Sequence, residues 1–194
     1  MEENNFDGTY VSNYTGHWHL EWNKEKETGK RVRQGQGKLE RKNGEVYEGY
    51  FLSNKFHGKG TLTFGKDDSK GRKEYAGNFK VGLMHGCGHL FWSNGDNCVG
   101  IWHFGQLKKG EGVATYIWAD GTKTLVNVDL QGDIRFPSNL TLYYPNNDFK
   151  EEYHGKVNDS GIPHGKGKMV LKNGKSIEGD WIDGLNTNLE PKLE

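Results

Sequence analysis

The sequence predicts an all-β chain, an elongated single-layer antiparallel sheet of stacked hairpins, and three observations carry that prediction. Glycine is abundant, at 29 of 194 residues, and aromatics make up 12% although only 32% of residues are apolar. One skeleton recurs. In "YEGYFLSNKFHGKGTLTF" Tyr47, Gly49 and Phe51 are followed by His57, Gly58 and Gly60; in "YAGNFKVGLMHGCGHLFW" Tyr75, Gly77, Phe79, His85, Gly86 and Gly88 fall at the same offsets. Turn pairs close the copies at Asn43-Gly44, Asn94-Gly95, Asp120-Gly121, Asn173-Gly174 and Asp183-Gly184. A polar, aromatic chain broken by glycine at short intervals builds short strands and tight turns, and a repeat of twenty-odd residues means an array.

Each copy reads as a β-hairpin. Side chains alternate across a strand, so Tyr47, Gly49 and Phe51 share one face, as do Gly60, Leu62 and Phe64. The glycine of "LSNKFHGK" predicts the turn between them, because glycine takes positive φ at little cost. The glycine two residues after the aromatic leaves room for a ring from the neighbouring hairpin. Strands are expected near 46–52, 60–65, 74–80, 88–93, 98–104, 112–118, 167–172 and 176–182. Other copies are looser. "YTGHW" at Tyr14–Trp18 opens one, interrupted by the polar insert "HLEWNKEKETGKRVRQ", and Cys98, Gly100 and Trp102 open another. The copy near Leu125–Asn147 is eroded, Tyr153, Gly155, His164, Gly165 and Gly167 restore the pattern, and "IEGDW" is a final half copy.

This skeleton, YxGxWxxGxxHGxGxxxxxDG, resembles the MORN repeat family from about residue 6 to residue 185. The resemblance implies an array over residues 14–185, preceded by an N-terminal segment 1–13 able to act as a capping strand and followed by a tail, 186–194. It also implies an aromatic face lining a shallow groove, with adaptor or scaffold work at the cytoskeleton, cortex or cilium. The family's association with membranes makes a phosphoinositide-binding module the alternative.

Charge and motifs exclude several classes. Lys plus Arg and Asp plus Glu both total 26, so no net field draws in nucleic acid. Two cysteines, Cys87 and Cys98, are too few for a disulfide scaffold, and the N-terminus has no signal-like stretch, so the chain reads as cytoplasmic. The glycosylation-type triplets at Asn13, Asn139 and Asn158 then carry no weight. No apolar run reaches membrane-spanning length. His57, His85 and His164 share one repeat offset, as turn-packing residues do and a unique catalytic residue does not. "HGCGH" lacks the fourth ligand of tetrahedral zinc, and "HWH" at His17–His19 lacks a Cys or Glu partner. The glycine pairs lack the spacing of nucleotide loops. Glu48 and Glu178 lie on the face opposite the aromatics and form no acid–base pair. No cofactor, no metal and no catalysis are expected.

The aromatic face is the candidate site. Tyr47, Phe51, Phe64, Tyr75, Phe79, Leu90, Trp92, Trp102, Tyr116, Trp118, Tyr153 and Trp181 should line it, with its centre at Phe79, Trp92 and Trp102. A continuous apolar stripe marks a docking surface, here for a helical or extended segment of a partner protein, and a homo-oligomer is compatible with it. Two basic clusters, Lys24, Lys26, Lys30, Arg31 and Arg33 in a turn and Lys66, Lys70, Arg72 and Lys73 in a connection, should project from opposite edges of the sheet. No single patch for lipid headgroups results.

Overall fold

The computed structural model describes residues 2–4, 10–23 and 28–188. Among them there is no helix, and the strands pair antiparallel in an open sheet of successive hairpins, as the repeat predicts. Seventeen strands occur: β1 Glu2–Asn4, β2 Tyr10–Asn23, β3 Thr28–Arg41, β4 Val46–Leu52, β5 Lys55–Thr63, β6 Arg72–Lys80, β7 Leu83–Trp92, β8 Asn97–His103 and β9 Gln106–Leu107, then β10 Gly110–Ile117, β11 Lys123–Val128, β12 Ile134–Arg135, β13 Asn139–Tyr143, β14 Lys150–Val157, β15 Pro163–Leu171, β16 Ser176–Ile182 and β17 Leu185–Asn186. The chain divides into two compact units. The first takes in the described residues up to Asn94 with Val99–Gln106; the second takes in Gly95–Cys98 with the described residues from Leu107 onward.

In the first unit β1 to β7 form one ladder in sequence order. Gly16, Gly37, Gly49, Gly60, Gly77 and Gly88 stand opposite one another in a row across β2 to β7. Beside it runs a row of Tyr14, Leu39, Tyr47, Leu62, Tyr75 and Leu90. Each tyrosine folds back over the glycine of its own strand and the glycine opposite. A Cβ at Gly49 or Gly60 would strike the Tyr47 ring, and one at Gly77 or Gly88 would strike Tyr75. The ring that uses the missing side chain thus belongs to the same hairpin, where the sequence reading expected one from the neighbour. The phenol then reaches a backbone carbonyl three residues on: Tyr47 donates to Tyr50 O at 3.0 Å, and Tyr75 to Asn78 O at 3.1 Å. Folding back satisfies the hydroxyl that burial would otherwise leave without water.

The His-Gly pair is not the turn. Chain reversal occurs earlier, at Ser53-Asn54 and Val81-Gly82, which join Leu52 to Lys55 and Lys80 to Leu83. Gly58 and Gly86, with φ of 57° and 68°, lie inside β5 and β7, at points where the register shifts. These are bulges, and they start β5, β7 and β15 four or five residues before the predicted strand starts. Glycine's positive φ was the right signal with two readings, turn or bulge. The polar insert of the first copy is corrected too. It extends the β2–β3 hairpin, pairing Trp18 with Arg33 and Asn23 with Thr28, so Lys30, Arg31 and Arg33 lie along a strand. Lys24 and Lys26 lie outside the described residues.

The second unit repeats the scheme on β14 to β16, where Gly155, Gly167 and Gly179 align and Tyr153 lies over the first two, donating to Lys156 O at 2.9 Å. Its core gathers Leu140, Leu142, Tyr153, Met169 and Trp181. The eroded copy supplies β13 of this core and most of β11. Their alternation buries Val126, Val128, Leu140 and Leu142. Glu2–Asn4 pairs along the start of β2, and the tail from residue 189 lies outside the described residues.

Candidate partner-binding surface

The twelve aromatic-face residues divide between the units and between two states of exposure. In the first unit Tyr47, Phe51, Tyr75, Phe79, Leu90 and Trp102 are buried, and Phe64 and Trp92 are half-buried. Their rings cover one another edge to face: Tyr47 meets Phe51 at 5.1 Å and Phe79 at 5.0 Å, and Tyr75 meets Phe79 at 5.2 Å and Trp102 at 5.4 Å. Phe56, which the sequence reading passed over because it was assigned to the turn, stacks on Tyr47 at 3.8 Å. Trp102 donates its indole N–H to Gly88 O at 3.3 Å. Edge-to-face packing of quadrupolar rings adds to the apolar burial, so this stripe serves as the unit's core. Burial pushes the Tyr75 hydroxyl up to about 12.

In the second unit Tyr153 and Trp181 are buried 5.4 Å apart, and Trp181 donates to Gly167 O at 3.1 Å, as Trp102 does to Gly88. Tyr116 and Trp118 are half-buried. The Tyr116 hydroxyl donates to Asp96 Oδ2 at 2.5 Å, and burial followed by that carboxylate pushes its pKa up. Trp118 stacks on Phe136 at 5.3 Å. Beside Trp118 the face opens into a hollow of about 200 Å³, lined by Leu142, Tyr144, Ile162 and Pro163 together with the polar Asp120, Thr122 and Lys150. Of the twelve residues, only Trp118 reaches it. Phe136, Leu142 and Tyr144 were missed because they fall in the copy that lost its glycines; only the alternation of "NLTLYY" pointed to Leu142 and Tyr144.

The opposite face is polar. A broad depression of about 690 Å³ crosses Gln36, Glu48, Lys59, Thr61 and Glu74 in the first unit. In the second, Thr141 Oγ1 lies 3.0 Å from His154 Nδ1, and His154 Nε2 lies 2.9 Å from Glu152. This chain of polar groups is a surface ladder, since Thr141 and His154 are opposite in register and Glu152 is two residues along the same strand. Lys168 and Glu178 pair at 3.0 Å beside it. His164 approaches Asp183 at 3.4 Å, and the His85 ring packs against Phe104 at 4.9 Å, so the recurrent histidines serve the hairpin ends. Among the described residues no group of His, Cys, Asp or Glu is placed to hold a metal. In the connection, Arg72 is held by Asp68 and lies 4.1 Å over the Phe64 ring, which removes one cation from the second basic cluster.

The MORN repeat model matches residues 47–69, 75–97, 98–123 and 160–176. The chain is a MORN-repeat protein. The interval between the last two matches contains the eroded copy, and MORN units are a binding and scaffold repeat. Alsin of Homo sapiens and Alsin of Pan troglodytes are each 26% identical to the chain over 188 residues. The alignment spans 93% of the MORN chain and 10% of either relative. Among solved structures, the TCP domain of Drosophila melanogaster SAS-4 (dCPAP), in complex with a proline-rich motif of Ana2 (dSTIL), aligns with 93% of the chain and 83% of its own. The TM-score is 0.32 and the identity 14%.

Proposed function

We propose that this chain is a non-catalytic scaffold that holds a segment of a partner protein, an apolar-faced helix fitting best, against the uncovered part of its aromatic face. The observation behind this is the hollow beside Trp118. Most of the stripe is closed by its own rings, whereas Trp118 and Tyr144 flank an opening of about 200 Å³. That is below the roughly 300–1,000 Å³ of small-molecule sites and suits one apolar anchor side chain. Work at cytoskeletal, cortical or ciliary structures in the cytoplasm follows from the MORN resemblance and belongs to the same proposal.

The test compares the natural chain with Trp118→Ala and Tyr144→Ala for capture of a partner from cell extract, then for affinity with that partner purified. An anchor residue cut to alanine loses about 2 kcal/mol, roughly thirtyfold in Kd. Variants that keep their β signal and melting point yet bind unchanged would overturn the proposal. Binding to phosphoinositide vesicles that is lost when Lys66, Lys70, Arg72 and Lys73 become Ser would support the lipid alternative.

A further inference from the structure

Three hairpin tips of the first unit lie side by side along one edge. Asn54 N donates to Arg33 O, Gly82 N to Phe56 O at 2.9 Å and Gly105 N to Met84 O at 2.8 Å, so each tip is tied to the strand of the hairpin before it. At each tip two successive residues have positive φ: Ser53 and Asn54 (46° and 67°), Val81 and Gly82 (54° and 86°), Phe104 and Gly105 (48° and 89°). Such two-residue turns favour Asn, Asp or Gly at both places, and the second unit obeys, with Asp183 before Gly184. Val81 and Phe104 do not. A β-branched or bulky residue at positive φ is an outlier that local folding disfavours.

Exposure makes the choice stranger. Val81 is 49% exposed, Leu83 46% and Phe104 44%, so the apolar side chains gain little burial for the strain. Neighbouring tips meet: Leu83 borders Gly105, and Lys80 Nζ lies 5.8 Å from the Phe104 ring. The stretches 52–55, 80–83 and 103–106 read LSNK, KVGL and HFGQ, with no acidic residue. Lys55 and Lys80 meet no carboxylate among the described residues. The opposite turns, KNGE at 42–45 and SNGD at 93–96, each carry an acid.

We infer that this edge, centred on Val81, Leu83 and Phe104 and flanked by Lys55 and Lys80, is a second docking surface, for a protein segment in which apolar and acidic side chains alternate on one face. Two residues that oppose the fold locally and present apolar surface to water are explained by what they meet outside the chain. The lysines select the charge of that partner.

The experiment uses the full chain and two synthetic amphipathic helices of equal hydrophobicity, one carrying Leu with Glu and one carrying Leu with Lys. Amide spectra should show the Leu/Glu helix shifting Gly82, Leu83 and Gly105. The chain with Val81→Asn and Phe104→Asn should bind it at least tenfold more weakly while melting no lower than the natural chain. A purely structural role for the two side chains predicts the reverse, a lower melting point. The inference is overturned if the Leu/Lys helix binds as well, if the shifts map elsewhere, if neither helix binds, or if the double variant binds unchanged. It is equally overturned if phosphatidylserine vesicles, and not the Leu/Glu helix, engage these residues.

Discussion

The Tyr75 ring lies flat over Gly88, across the strand pair in which Gly77 and Gly88 stand opposite each other. Alanine at Gly88 would place its Cβ inside the phenol, so Gly88→Ala should destabilise the chain by about 1–3 kcal/mol, the usual cost of overpacking. Thermal melting checks this. Adding Tyr75→Leu should recover part of the loss, because the collision is with the hydroxyl end of the ring, and the two substitutions should therefore not be additive.

Alkaline titration tests the same burial. Tyr75 is held at about 12, with burial the main cause and Cys87 a lesser one. A phenol ionises near 10 in an unfolded chain. Between these values the folded state binds more protons than the unfolded one, so stability should hold up to about pH 10 and fall from there towards 12. Denaturant midpoints across that range measure the slope. Phenolate absorbance appearing at pH 10 with the β signal intact in all tyrosines would contradict it.

The two cysteines should behave differently. Cys87 is exposed; Cys98 is buried, and burial pushes its thiol up to about 12. A thiolate reagent at pH 8 should modify Cys87 within minutes and Cys98 only at the rate of unfolding. Mass mapping of the labelled peptides reads this directly.

Trp102→Ala should fail as a binding probe. The indole covers Tyr75 and donates to Gly88 O, and its removal should cost about 3–5 kcal/mol of stability. Val81→Asn should act in the other direction, raising stability by about 1 kcal/mol through relief of strain, which at this chain length is about 2–4 °C in Tm.

Much of the fold was legible because the glycines keep register. Gly49 and Gly60, or Gly77 and Gly88, sit at fixed offsets from Tyr47 and Tyr75, and two strand assignments, 46–52 and 176–182, match β4 and β16 residue for residue. What the pattern could not carry was the φ of Gly58 and Gly86, since a turn and a bulge both want a left-handed glycine. The aromatic face was legible as a face, but its openness was not. Whether a ring covers its neighbour depends on Tyr47 folding back over glycines two and thirteen residues along. The hollow beside Trp118 depends on Tyr144 and Leu142, in a copy with no glycine signature. Val81 and Phe104 were hidden for a different reason: the expected strands 74–80 and 98–104 left Val81 just past a strand end and put Phe104 inside one, so neither was read as a turn residue.

A tyrosine that covers the glycines of its own hairpin makes the copies opened by Tyr14, Tyr47, Tyr75 and Tyr153 bricks with their lids attached. Lengthening a connection, as residues 64–71 do, leaves the lid in place, and so does degrading the sequence of a distant copy. Genes that encode such bricks can therefore gain or shed whole copies by unequal crossing-over without inventing new packing at the joints. Reach becomes a trait that selection can tune in steps of one hairpin.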